Sequence, residues 1–206
     1  MEETLLRNRP FDELQVGDTA SLVRIVGRGV DIDLFAAVSG DVNPAHLDAT
    51  FAATDLFGHI VAHGMWTSGL VSAVLGTKLP GPGTIYLEQD LRFRRPTGPG
   101  DTITVTVTVK EKRPEKRIVP LDTICTNQKG DQGLTGVTTV IAPDRKIEWP
   151  RTKLPDVSLR RHDHYEAFVK QARKTPPIRA AIVHPCSPDA ILAAIEVRDE
   201  CLFEDG

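Results

Sequence analysis

Asp41, Asn43 and His46 fall within six residues at the end of Phe35–His46, FAAVSGDVNPAH. A carboxylate and an imidazole that close together on a polar turn suit proton transfer. Asp41 can act as a base toward water, and His46 can orient that water and relay its proton. Asn43 is a neutral donor and acceptor able to hold the turn. Each of these residues alone is also an ordinary turn former. A second stretch, Val61–Ser72, VAHGMWTSGLVS, sets His63-Gly64-Met65 at the head of a small-residue, apolar helix. The first N–H groups of a helix lack intrahelical acceptors and lie at the positive end of its dipole. Gly64 would let a substrate carbonyl approach such an N–H, which could then stabilise an oxyanion or enolate. It would serve equally as the plain turn before a core helix. His63 reads as structural. Ser72 is either a supporting donor to the Asp/His loop or a hydroxyl bonded back to its own helix.

The elements that must position these groups are legible from periodicity. Thr19–Val26 alternates enough for a first strand. Asp31 is a candidate cap for a short helix over Ile32–Ser39, which Gly40 ends and Pro44 keeps from continuing. Ala45–Phe57 is turn-rich or helical, with Leu47, Phe51 and Ala52 as its apolar side. Gly64–Leu75 carries no charge and is apolar all round, the pattern of a buried helix. From Thr84 the period becomes two. Ile85–Arg95 is a strand, and in Thr102–Lys110 the residues Ile103, Val105, Val107 and Val109 all face one way. Ile118–Thr126 and Leu134–Ala142 complete about four consecutive antiparallel strands. Such strands bury one face and need something to wrap. Curling the sheet around the Gly64–Leu75 helix gives an α+β hot-dog fold.

At 206 residues the chain has room for one large domain, or one of about 150 residues plus an appendage. Residues 1–143 are expected to form the main domain. Residues 144–161, with Pro150 and Pro155, read as a linker. In 162–206 the pattern is helix, a Pro176-Pro177 break, a short apolar strand Arg179–His184 and a helix Ser187–Glu200. That strand is of the parallel kind and has no evident parallel neighbour after it. A net charge of −3 provides no broad basic field for nucleic acid or a membrane surface. No apolar run approaches a membrane span, and the amino terminus lacks signal-peptide character. Cys125, Cys186 and Cys201 show neither metal-ligand spacing nor a disulfide framework, which predicts free thiols and a reducing, cytoplasmic location.

The Ser-Gly-Asp-x-Asn-Pro-x-His core at 39–46, followed by His63-Gly64-Met65 and by Ile85-Tyr86-Leu87 through Arg92-Phe93 and Pro96, resembles the MaoC-like, (R)-specific enoyl-CoA hydratases. The likeness covers roughly residues 10–142 with the motifs in order. It implies a hot-dog homodimer, or a higher homo-oligomer, that adds water across a trans-2-enoyl-CoA to give an (R)-3-hydroxyacyl-CoA. Asp41 and His46 would be the catalytic pair and the Gly64 N–H the oxyanion donor. Asn43, Ser72, His63 and Met65 would bind substrate or support the pair. No metal or redox cofactor is implied, coenzyme A entering only as part of the substrate. Arg92, Arg94, Arg95 and Lys78 are candidates to meet its phosphates, although charge on an exposed strand is commonly plain solvation. Two departures stand out. The turn Gly27–Asp31 is glycine-rich, and Trp66 is bulkier than the usual aliphatic residue, which suits packing in a core or interface.

Residues 162–200 resemble the first segment of the phosphate acetyl/butyryltransferases, which occur fused to such hydratases. Only about 45 residues of that domain are present. Two rival readings have distinct signatures: an acyl-CoA thioesterase would release free thiol, and a non-catalytic acyl-CoA-binding module of a phosphate acyltransferase fusion would turn nothing over.

Overall fold

In the computed structural model of the chain, the residues described are 4–27, 30–153, 157, 168–174, 178–180, 187–199 and 203–205. The chain divides into two compact units, Met1–Asp156 and Val157–Gly206. The sequence-based expectations for 162–167, 175–177 and 181–186 lie outside the described residues.

The first unit is built on five antiparallel strands. In chain order they are β2 (Thr19–Ile25), β3 (Ile85–Phe93), β4 (Thr102–Val109), β5 (Ile118–Thr126) and β6 (Gln132–Ile141), following a short β1 (Leu5–Arg7). Their order in the sheet is β2-β4-β5-β6-β3. Alternation places side chains on the core face as expected. Ile103, Val105, Val107 and Val109 are all at most 2% exposed, while the threonines between them are partly exposed. The strands do not run as a simple meander. β3 passes to the far edge and pairs with β6, and β2 takes the place beside β4. Edge position explains why β2 and β3 are mostly exposed where the inner strands β4, β5 and β6 are largely buried or half-buried. β3 also carries a register shift between Tyr86 and Glu88.

Four helices lie between β2 and β3: α1 (Asp31–Ser39), α2 (Pro44–Leu47), α3 (Ala49–Thr54) and α4 (Gly64–Thr77). α4 lies against the concave side of the sheet, touching β2, β3 and β4. Its Val71, Val74 and Leu75 are essentially inaccessible and join the strand residues in one core with Trp66. Each such side chain removed from water stabilises the fold by about 1.5–3 kcal/mol. The helix is nevertheless not buried all round. Met65, Gly69, Ser72 and Gly76 recur at spacings of four, three and four, and form an exposed stripe. Small and apolar residues fill this stripe as they fill the core, so the residue pattern does not distinguish the two.

Residues 144–150 fold back onto the start of the chain. β7 (Glu148–Pro150) pairs antiparallel with β1, with Leu6 opposite Trp149. The second unit is helical at 168–172 and continues through β8 (Ile178–Ala180), α5 (Pro188–Asp199) and β9 (Phe203–Asp205). β8 and β9 pair in parallel, Ile178 opposite Phe203. The described start of the expected apolar strand thus does have a parallel neighbour, β9, which the sequence-based reading did not foresee. No described helix is long and apolar enough to cross a membrane.

Candidate active site

A succession of local caps sets the Asp41–His46 turn. Gly40 ends α1 in the left-handed conformation, φ 76°, and its N–H bonds the Ala36 carbonyl. Glycine adopts this conformation without the penalty a Cβ imposes. The Ser39 hydroxyl donates to the Phe35 carbonyl at 2.6 Å and accepts the Asp41 N–H at 3.2 Å. Asp41 Oδ1 accepts the Asn43 N–H at 3.2 Å, and Asn43 Oδ1 accepts the Ala45 N–H at 3.1 Å. Asn43 is therefore the N-cap of α2, with Pro44 in the first helical position where its missing N–H costs nothing. The holding role expected for Asn43 matches this arrangement. The turn delivers His46 from α2 at a fixed angle to Asp41.

His46 is oriented from the other side. Its Nδ1 lies 2.7 Å from the Val61 carbonyl, so Nδ1 carries the proton and donates. Nε2 is the remaining ring nitrogen of a residue that lines the cleft. Val61 is itself held, since its N–H reaches the Ala45 carbonyl, and the next N–H, of Ala62, reaches the Thr97 carbonyl at 2.6 Å. His63 is 2% exposed and donates from Nε2 to the Asp41 carbonyl at 3.0 Å. Its ring stacks on His46 with centroids 3.9 Å apart and planes 34° apart, and meets Phe35 at 4.9 Å on α1. Nδ1 of His63 is buried without a partner. An unsatisfied buried polar atom costs roughly 1–3 kcal/mol.

Asp41, His46 and His63 each offer an atom within 4.8 Å of the others, the spacing of a candidate cation site. Each imidazole gives one nitrogen to a carbonyl and keeps the other, Nε2 of His46 and Nδ1 of His63. A carboxylate beside an imidazole in this cluster also suits acid–base chemistry.

Gly64 opens α4, so its N–H has no acceptor within the helix. A Cβ at this position would stand 3.0 Å from the Phe93 ring, and glycine is what allows β3 to lie so close. His46 and Gly64 line one cleft of about 300 Å³, together with Phe57, Val61, Thr67, Phe93 and Thr97. Of the three groups singled out by sequence, His46 and Gly64 line the one cleft, while Asp41 lies close to His46 without lining it. The Asp41 side chain is exposed in the single chain, so the partial enclosure expected of a base is not supplied by this chain alone.

The supporting residues divide. Arg94 and Arg95 line the cleft, Arg94 bonding the Thr135 hydroxyl at 3.3 Å and Arg95 facing Asp131 at 3.7 Å. Arg92 and Met65 are exposed and lie outside the cleft lining. Lys78 is placed at the opposite end of α4, about 20 Å along the helix from Gly64, where it bonds the Ser21 carbonyl. Ser72 stands on the exposed stripe of α4 and does not line the cleft. Trp66 packs in the core, as its bulk suggested. Sequence reasoning missed the cleft walls Phe57, Thr67, Phe93 and Thr97. Only the Gly-His-Ile-Val-Ala-His run at 58–63, apolar between two histidines, hinted that this segment lined something.

A curled antiparallel sheet around one helix, with an Asp/His pair facing the start of that helix, defines a hot-dog protein with a site for acid–base chemistry on a carbonyl compound. Residues 15–127 match the model of the MaoC like domain, more than half of the chain. The chain belongs to the MaoC-like family. It is 46% identical over 135 residues to an (R)-specific enoyl-CoA hydratase of Rhodospirillum rubrum, covering 66% of this chain and 92% of the relative. To a 3-hydroxybutyryl-CoA dehydratase of Methylorubrum extorquens it is 44% identical over 143 residues, 69% of this chain and 89% of that one. Among solved structures, the R-hydratase PhaJ1 from Pseudomonas aeruginosa in its unliganded form superposes with a TM-score of 0.72 at 45% identity. That superposition covers 75% of this chain and 99% of the other.

Proposed function

We propose that the chain is an (R)-specific enoyl-CoA hydratase, adding water reversibly across a trans-2-enoyl-CoA to give the (R)-3-hydroxyacyl-CoA. The observation that carries this reading is that His46 and the Gly64 N–H open on one cleft with the Asp41 carboxylate beside His46. Water held between Asp41 and His46 Nε2 forms its bond to C3 as its proton passes to that pair. The electron pair of the double bond moves to C2, and the charge to the thioester oxygen, where the Gly64 N–H stabilises it. The pair then returns a proton to C2, and the balance is one water added. No metal or redox cofactor takes part in this scheme, whose only co-substrate is water, and it calls on no membrane or nucleic acid.

A homodimer completes the picture. The β3 edge presents Ile85, Leu87 and Phe93, each about half exposed, near the bare stripe of α4. An open apolar edge of this kind favours pairing with a second copy. Such a mate would also enclose Asp41. We place the enzyme in the cytoplasm with its CoA substrate. The second unit fits the start of a phosphate acyltransferase-like domain, a reading supported by its parallel strand pair with a helix between.

The test is incubation with crotonyl-CoA. Loss of enoyl absorbance without free thiol, and an (R)-configured product, are expected. Stoichiometric thiol release would make the protein a thioesterase, and no turnover would make it a binding module. Analytical ultracentrifugation is expected to return the mass of two chains.

A further inference from the structure

We propose that His63 is a positioning residue of the hydration site, fixing Asp41, His46 and the Gly64 N–H together; this rests on the hydratase reading above. Three contacts converge on the one side chain and its backbone. Its Nε2–H holds the Asp41 carbonyl at 3.0 Å, across 22 residues of sequence. Because Ser39 already holds the Asp41 N–H, that bond leaves the backbone of Asp41 gripped on both sides. One face of the ring packs on His46 and Phe35 packs against it too, so α1 and α2 are joined through it. His63 is also the N-cap residue of α4, and its carbonyl closes the first turn by accepting the Trp66 N–H at 3.0 Å. The peptide between His63 and Gly64 carries the proposed oxyanion donor. The imidazole fixes where that residue sits, and the bond from the Trp66 N–H to the His63 carbonyl holds the peptide that follows it.

Filling space does not explain a histidine here. The position is 2% exposed and leaves Nδ1 without a partner, a desolvation cost that phenylalanine would avoid. What phenylalanine lacks is the N–H that reaches Asp41. The side chain acts through Asp41 and His46, the residues on which its N–H bond and its ring stack end.

The experiment compares His63→Phe with His63→Gln in the full chain, using crotonyl-CoA. The Phe variant keeps a ring against His46 and Phe35 and loses the donor. It is expected to lose about 10- to 100-fold in kcat with KM within about threefold, the size of effect that small misplacements of reacting groups produce. The Gln variant, whose amide nitrogen can stand where Nε2 stands, is expected to recover most of kcat. With Asp41→Asn already present, His63→Phe should cost less than about threefold more, because the lost bond ends on Asp41. A melting midpoint for His63→Phe at or above wild type separates lost positioning from lost folding. If that variant fails to fold, His63→Asn, too short to reach the carbonyl, is expected to show the same fall in kcat. Wild-type kcat in a folded Phe or Asn variant, or full additivity with Asp41→Asn, overturns the proposal. A wild-type protein without hydratase activity, or an unimpaired Asp41→Asn, overturns the hydratase reading itself.

Discussion

Replacing His46 by Asn tests the acid–base pair with little collateral change. The side-chain nitrogen of Asn can occupy the place of Nδ1 and keep the hydrogen bond to the Val61 carbonyl, now 2.7 Å long. What disappears is Nε2, the remaining ring nitrogen of this cleft-lining residue, together with the 3.9 Å stack on His63. General acid–base catalysis by one group contributes about 10²–10⁴-fold. At 1.36 kcal/mol per decade, that is a rise of roughly 3–5 kcal/mol in the barrier. Loss of an aromatic pair costs about 0.5–1.5 kcal/mol of stability, and half-exposure of His46 puts this case at the low end. A domain of this size then melts only about 1–2 °C lower. Initial rates of crotonyl-CoA hydration against substrate concentration, beside a thermal melt, separate the two effects. The expected result is a kcat at least about a hundredfold down in a protein still folded at the assay temperature. A folded His46→Asn enzyme within about threefold of wild-type kcat/KM would refute the reasoning, since it would leave Nε2 with no part in the rate-limiting step.

Gly136 sits in β6 between Leu91 of β3 and Thr123 of β5. An added Cβ would collide with the Asp90 carbonyl oxygen and come within 2.9 Å of Leu91 Cα, both backbone atoms. Gly136→Ala should therefore destabilise by about 3 kcal/mol and lower the melting midpoint by roughly 6–12 °C, read by calorimetry. Burial of Cys125 raises its thiol from 9.0 to about 12. The thiol should resist alkylation in the native protein and react after denaturation, which peptide mapping will show. Its linkage has a definite sign. The folded state keeps a proton that the unfolded state releases, so this contribution is intact below pH 9.0 and is lost progressively as pH rises toward about 12. Denaturant titrations across that window check it. Leu87→Glu puts a charge on the exposed edge strand. Such a charge opposes edge pairing while costing within about 0.5 kcal/mol of fold stability at a surface position. Ultracentrifugation is expected to find single chains, with kcat/KM falling in parallel. An Leu87→Glu protein that remains dimeric would remove β3 from the interface.

Much of the fold is legible because one face of each strand must be dry. The run from Ile103 to Val109 could adopt no other register once the sheet had a core side. Likewise α4 begins where glycine relieves crowding by Phe93. Strand neighbours are a different matter. Alternation states which way a side chain points and nothing about which strand lies beside it, so the passage of β3 to the far edge had no signature. The Asp41–His46 turn was readable because capping chemistry is local. Asn43, Pro44 and Ser39 act over two to four residues. For His63 the sequence offered a structural or supporting part without its contacts, because these depend on a bond across 22 residues and on a stack formed only when α1 and α2 close.

The positions that the single chain leaves open share one physical feature. Ser72, Met65 and Gly69 lie on a helix whose composition looks buried throughout, yet the single chain leaves that stripe in water. Asp41, beside His46, is likewise exposed, and the edge of β3 presents Leu87 and Phe93 to solvent. Apolar and small residues on an open face, next to an acid–base pair that works best out of bulk water, have one consistent explanation. The homodimer proposed above would cover that face, and the expectations for Ser72 and for the enclosure of Asp41 would then concern the assembly. Within one chain, the Asp41, His46 and Gly64 arrangement gives the proposed chemistry its donors and acceptors, and a second copy would supply the dry wall that makes those charges effective.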